Sequence, residues 1–355
     1  MTGIGKAIIV LIILGVALYF LWPYLQELIS TGGHNYHPPI KCKSDIITVE
    51  GSTISNSNPY SGSTTTLTFL IKNNGDRVLD DVEINFFNVP GFNVSELRCE
   101  INEMFGSKRS CNSNADCQSG EQIGEFCDLT AKKCYKGCLY KEIDPTDTRE
   151  TSLVLQVPPV NSPTPLAISY YIRYNYSGYR TANIPIIDGV YRTRPFSQFS
   201  QSTPGCSPVV LEFESRVGSE RREDSKIIKE YWSRVNEPFE VKMNFKHVGS
   251  SLLGIIQPVN LTAGSVKLDL NNSLIKASGP CNFCDITESD CPVKKDSNYL
   301  FSKKNVLVPG TLICNFENSS FFQEPEMTAV INAEFNYIYQ FTRTERFTVQ
   351  PLPKE

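Results

Sequence analysis

Histidine is scarce in this sequence: the 355 residues hold three, at positions 34, 37 and 247. A serine or cysteine triad needs an imidazole base, and two of the three lie in a Gly/Pro-containing stretch, so the base is missing. The phosphate-loop, nucleophile-elbow, zincin and dinucleotide-binding motifs are also absent. Charge of one sign is lacking too. The balance of 34 basic and 38 acidic residues gives −4, which excludes a broad cationic footprint for nucleic acid. A glycosidase-type carboxylate pair could still hide among the acids. No catalytic, cofactor-binding or metal-ligating residue is assigned, no cofactor is expected, and the chain is read as non-enzymatic.

Long hydrophobic runs are lacking as well, with one exception. Ala7 to Leu25 contains no charged residue. At 1.5 Å per residue it spans about 28 Å, close to the bilayer hydrocarbon thickness. Tyr19, Trp22 and Tyr24 sit at its far end, where an interfacial aromatic belt belongs. A cleaved signal peptide would have a shorter apolar region and a small-x-small cut site, and Phe20 to Tyr24 is bulky. A prepilin signal would place basic residues before the cut and a glutamate soon after, whereas the first glutamate is Glu27. Residues 1–30 are therefore read as an uncleaved single-pass anchor. Lys6 precedes the span, which puts the N-terminus in the cytoplasm and the remainder outside. Residues 31–41, with Gly32-Gly33, Pro38-Pro39 and the pair His34 and His37, form a linker with nothing to fix metal-ligand geometry.

The twelve cysteines all follow the span: Cys42, Cys99, Cys111, Cys117, Cys127, Cys134, Cys138, Cys206, Cys281, Cys284, Cys291 and Cys314. Their even number suits an oxidising compartment. Five sequons, at Asn93, Asn175, Asn260, Asn271 and Asn318, are glycosylation candidates. The stretch 99–140 is polar and too short to build its own core, so crosslinks must replace one. From Cys111 its spacing is C-x5-C-x9-C-x6-C-x3-C. It resembles the small disulfide-knotted inserts of secreted and cell-surface proteins. Zinc and thioredoxin-like chemistry rest on the single C-x-x-C at Cys281 and Cys284, one knuckle where a ribbon site wants two.

Three stretches recur in order. Cys42 opens a β-rich strand, as does Cys206. The alternating segment from Leu67, followed by Gly75, matches that from Val241, followed by Gly249. The segment from Ile168 matches that from Ile331, aligning Tyr174 and Tyr176 with Tyr337 and Tyr339, and Arg180 with Arg343. Period-2 alternation predicts strands, and each copy of the third stretch reads as a hairpin of two long strands. Tyr170, Tyr171, Tyr174, Tyr176 and Tyr179 could line a carbohydrate platform, or pack one sheet face and decorate the other. The segment 219–235 places Ile227, Ile228, Tyr231, Trp232 and Val235 on one helical face and is predicted helical.

The expected fold is all-β: a transmembrane helix, then two tandem immunoglobulin-like β-sandwiches at 42–195 and 204–352, the first with the insert 99–140. The strand–KNNGD–strand element resembles the CARDB-like modules of archaeal and bacterial surface proteins, which implies adhesive or spacing roles and no catalytic residues. With that boundary the first half holds seven cysteines and the second five. Full oxidation within one chain then requires a bridge between the halves. The equivalence of Cys42 and Cys206 suggests the pairings Cys42–Cys99 and Cys206–Cys281. The function expected is a membrane-anchored, extracytoplasmic interaction, adhesion or envelope-scaffold protein of archaeal type, with a protein partner or self-association. A filament subunit and a carbohydrate-binding or carbohydrate-acting ectodomain are the alternatives.

Overall fold

Period-2 alternation of apolar and polar residues dominates the chain, and strands form where it occurs. The computed structural model describes residues 45–89, 91–100, 104–118, 125–187, 199–215, 219–223, 226–230, 233–234, 237–250, 254–271, 275–285, 288–293, 299–318 and 326–353. The expected anchor 1–30, the linker with His34 and His37, and Cys42 lie outside them. Among the described residues no helix is long and apolar enough to cross a membrane.

The first copy contains β1 (Ile47–Ile54), β2 (Thr64–Asn73), β3 (Leu79–Asn88), β4 (Asn93–Cys99), β5 (Met104–Phe105), the single turn α1 (Asn114–Cys117), β6 (Phe126–Asp128), β7 (Lys133–Tyr135), β8 (Gly137–Ile143), β9 (Thr148–Gln156) and β10 (Thr164–Ile187). After β11 (Ser200–Gln201) the second copy contains β12 (Val209–Ser215), β13 (Ser219–Glu223), β14 (Lys226–Glu230), β15 (Ser233–Arg234), β16 (Phe239–His247), β17 (Ile255–Ile256), β18 (Asn260–Leu261), β19 (Val266–Leu270), β20 (Ile275–Cys281), β21 (Phe283–Asp285), β22 (Leu300–Ser302), β23 (Val306–Leu307), β24 (Gly310–Asn318) and β25 (Glu326–Val349).

The repeat is visible in the topology. One four-stranded sheet runs β1-β2-β9-β4 and its counterpart runs β12-β16-β24-β20. The large sheet runs β21-β22-β19-β25-β10-β3-β8-β5, so each half supplies one side of it. The small sheets lie over the large one. Phe69 of β2 stacks on Tyr170 of β10 at 4.7 Å, and Phe245 of β16 meets Phe335 of β25 edge-on at 5.3 Å. A pair of β-sandwiches results, but not as separate beads. β10 and β25 pair antiparallel over all 24 residues of each, from Thr164↔Val349 to Ile187↔Glu326.

That pairing corrects the expected hairpins. A hairpin needs a turn within the stretch from Ile168, yet β10 runs straight on through Ser177-Gly178. Gly178 lies under the ring of Phe335 across the ladder, where a Cβ would come within 2.2 Å of the ring, so the glycine is required by space. Each long strand therefore serves both sandwiches. Ile168, Tyr170 and Ile172 of β10 are buried in the first, while Phe347 of β25 reaches back to pack on Phe92 at 5.2 Å. A single hydrophobic cluster runs through both.

The expected helix at 219–235 is also corrected. β13 and β14 form an antiparallel hairpin whose register places Glu220 opposite Lys229 and Glu223 opposite Lys226. The β-branched pair Ile227-Ile228 favours a strand. Tyr231, Trp232 and Val235 lie outside the described residues.

Five disulfides are described. Cys99–Cys138 ties β4 to β8, joining the two sheets of the first sandwich at the root of the insert. Inside the insert Cys111–Cys127 and Cys117–Cys134 interleave, and these four half-cystines are its buried core. Closing loops of this size stabilises by about 3 kcal/mol each in the chain-entropy account. The insert is fastened to β4 by Asp128, which accepts the Leu97 N–H at 2.7 Å as well as those of Thr130 and Ala131. In the second copy Cys281–Cys314 lies between β20 and β24, and Cys284–Cys291 follows. The pairings Cys42–Cys99 and Cys206–Cys281 are thus overturned, since Cys99 and Cys281 have other partners. Cys206 is disulfide-bonded as well.

Candidate functional site

The middle of the β10–β25 ladder has two faces, because side chains alternate along a strand. Inward point Tyr174, Tyr176, Tyr337 and Tyr339, all buried. Tyr174 faces Tyr339 with ring centroids 5.5 Å apart, and Tyr176 faces Tyr337 at 6.0 Å. Three of their hydroxyls reach residues of both copies. Tyr176 donates to the Cys206 carbonyl and stands 3.3 Å from Asp76. Tyr337 bonds Ser207 at 2.7 Å, and Tyr339 bonds His247 Nε2 at 2.9 Å. The Tyr174 hydroxyl makes no hydrogen bond among the described residues. Burial raises all four phenols above their ordinary range. These tyrosines are structural pins and not proton carriers at neutral pH.

Outward point Arg173, Asn175 and Ser177 of β10 and Asn336, Ile338 and Gln340 of β25. They floor an open trough of about 800 Å³. One wall is Arg77 and Val78, just before β3, and Asp80 at its start. The other is the stretch containing Gln257, Pro258, Asn260, Thr262 and Ser265 of the second copy. Ser177 donates to the Asn336 amide oxygen across the ladder. Val78 and Ile338 are 44% and 45% exposed, two apolar side chains in an otherwise amide- and hydroxyl-rich surface. Beyond Arg77, which lies 4.7 Å over the Tyr179 ring, a second hollow of about 360 Å³ continues along the ladder. There Lys267 sits 3.9 Å over the Tyr299 ring and 3.5 Å from Glu334. Arg77, Arg173, Arg180 and Lys267 share this surface with Asp80, Asp269 and Glu334, so it presents hydrogen-bonding groups without strong net charge.

The tyrosine expectations divide by face. Tyr170, Tyr174 and Tyr176 are core residues, while Tyr179 is 43% exposed on the outer face. Tyr171, also outward, donates to Glu83 at 3.1 Å and accepts from Asn85 at 2.8 Å. Burial, with Glu83 adding to it, pushes its phenol up to about 12. The trough is therefore floored mainly by amides and not by aromatic rings. Asn336, Gln340 and Gln257 were missed from sequence. The signal for the first two was present, as the polar, outward-face positions of an alternating segment.

Of the sequon asparagines, Asn93, Asn175, Asn260 and Asn271 are exposed, while Asn318 is 8% exposed at the end of β24. Asn175 and Asn260 both line the trough. The described cysteines give no metal centre. The sulfurs of Cys111, Cys117 and Cys127 cluster within 4.8 Å of one another, but all three are in disulfides, and a disulfide sulfur is not a thiolate ligand. The C-x-x-C at Cys281 and Cys284 is likewise consumed in two different bridges. His247 stacks on and bonds Tyr339.

No protein-family model and no curated protein sequence matches the chain. Among solved structures, similarity is found to the Enterococcus faecalis MSCRAMM ACE, described as binding its ligands by the collagen hug model. Identity there is 10%, covering 88% of this chain and 98% of that one, with a TM-score of 0.19. The C-terminal domain of the Streptococcus agalactiae AgI/II polypeptide BspA matches at 8% identity over 86% and 97%, TM-score 0.15. The T6 backbone pilin of serotype M6 Streptococcus pyogenes matches at 12% over 77% and 67%, TM-score 0.17. At these TM-scores the overlays carry no inference about function.

Proposed function

We propose that this chain is a non-enzymatic, extracytoplasmic interaction protein held at a membrane by residues 1–30. The observation that carries the reading is the disulfide network. Five bridges are described, none of the described cysteines is free, and the insert has cystine in place of an apolar core. Such a chain is built for an oxidising compartment. The hydrophobic run at 7–25 supplies the attachment, and the two fused sandwiches supply a rigid body displaying loops, insert and trough to solvent. Adhesion or envelope scaffolding fits this better than catalysis, because the outer face offers amides and paired charges and not an activated nucleophile. A carbohydrate-binding role is the second reading, favoured by the hydrogen-bonding floor of the trough.

Protease shaving of intact cells, with membrane fractionation, tests the proposal. The expected result is a membrane-bound chain whose region after residue 42 is cut or released from outside. A cytosolic chain with reduced cysteines would overturn it. Crosslinking on the cell surface would then identify a protein partner, and glycan-array binding by the ectodomain would favour the second reading.

A further inference from the structure

Among the described residues the trough is an uncovered sheet face, and it has its own candidate cover. Ile338 stands at the middle of its floor, 45% exposed, and Val78 is on one wall at 44%. Directly across the ladder from Ile338 is Asn175, the acceptor position of the sequon Asn-Tyr-Ser. Directly opposed residues on one sheet face hold their Cβ atoms about 5 Å apart. On the opposite wall Asn260 opens a second sequon, Asn-Leu-Thr, just before the turn in which the Ser265 N–H bonds the Thr262 carbonyl. Both asparagines are exposed, and neither side chain is hydrogen-bonded among the described residues. The remaining surface, with Asn336, Gln340 and Gln257, suits a neutral polyhydroxylated ligand. Its volume of about 800 Å³ falls within the range of about 300–1,000 Å³ typical of small-ligand clefts.

We propose that the trough is the seat of the protein's own N-linked glycan, carried on Asn175, Asn260 or both and lying over Ile338 and Val78. The attachment joins the side-chain amide nitrogen to the first sugar's anomeric carbon. The sugar comes from an activated lipid-linked oligosaccharide donor, whose phosphate departs as the leaving group with the amide proton lost to solvent. The covering glycan keeps the middle of the sheet from associating with another chain, and it fixes the loops and insert as the accessible binding surfaces. The proposal rests on the extracytoplasmic reading, since glycan transfer of this kind takes place outside the cytosol.

The test uses the full chain isolated from its native membranes. Glycopeptide mass spectrometry locates the sugars, and hydroxyl-radical footprinting reads the exposure of Ile338 and Val78. Expected are glycan on Asn175 or Asn260, and slow oxidation of Ile338 and Val78 relative to Ile255 and Leu352. That protection should be lost in N175Q/N260Q. S177A/T262A removes the sequon hydroxyls, keeps both asparagines and should give the same loss, which guards against a folding defect in the first variant. Unmodified Asn175 and Asn260 in a chain with its disulfides formed would overturn the glycan proposal alone. So would a glycan whose removal leaves Ile338 oxidation unchanged. Reduced cysteines would overturn the extracytoplasmic reading beneath it.

Discussion

Asn175 and Ile338 face each other across the β10–β25 ladder, and they are the same position of the internal repeat. The offset that carries Ile168 onto Ile331 carries Asn175 onto Ile338. The pair therefore marks a pseudo-twofold axis. Tyr174↔Tyr339 on one side of it becomes Tyr337↔Tyr176 on the other. The repeat is thus the reason the two halves fuse: each copy's last strand is long enough to pair with its twin over its full length, and the ladder completes both cores.

One cooperative unfolding transition follows for residues 42–355. Calorimetry and far-UV circular dichroism should report a single coincident transition. A fragment ending at residue 195 loses β25 from beside β10, together with Phe347 from the packing around Phe92. It should give no sharp transition of its own. Two resolved transitions, or a fragment that folds, would contradict the shared core.

Gly178→Ala tests the ladder at a single atom. The added Cβ would meet the Phe335 ring at 2.2 Å, and the side chain must move within a packed core. Overpacking of this kind costs about 1–3 kcal/mol, read as a lower denaturant midpoint with unchanged slope. Gly178→Ala combined with Phe335→Leu should recover part of the loss, because the clash is with that ring.

His247 gives a pH dependence of known sign. Burial holds its imidazole below the ordinary value of 6.5, and the charge of Asp45 offsets part of that. The unfolded chain therefore binds the proton more tightly. The His247 contribution is present above pH 6.5 and is lost as pH falls through the depressed folded-state value. His247→Gln cannot titrate, so its stability should fall less than wild type as pH drops below 6.5. Parallel profiles in urea titrations across that range would contradict the assignment.

Much of this architecture was legible. Alternation at Leu67-Phe69-Ile71 and Val241-Met243-Phe245 marked β2 and β16, whose flanking strands keep the same order in both copies. The polar, cysteine-rich composition of 99–140 marked a crosslinked insert. Local pattern failed where distant partners decided the outcome. Ser177-Gly178 has turn chemistry, but Phe335, far along the chain, fills the space above the glycine and keeps the strand extended. Ile227-Ile228 satisfies helical and strand periodicity alike, and hairpin pairing selected the strand. Disulfide partners could not be read from equivalence between copies, because Cys99 pairs across sheets while Cys281 pairs within one. The trough was only half visible. Arg173, Asn175 and Ser177 stand out as the polar face of β10, but the opposing wall at Gln257 to Ser265 arrives through the fold.

Non-reducing peptide mapping of the full-length native protein tests the central claim most directly. Five of the six bridges that twelve cysteines allow are described, and Cys206 is bonded while its backbone lies against Tyr176 beside the pseudo-twofold axis. Its repeat equivalent is Cys42, the one cysteine outside the described residues. The expected map is Cys99–Cys138, Cys111–Cys127, Cys117–Cys134, Cys281–Cys314 and Cys284–Cys291, with Cys206 linked to Cys42 across the two copies. Free thiols in the native protein, or insert cysteines recovered bound to metal, would contradict the account of an oxidised, extracytoplasmic double sandwich.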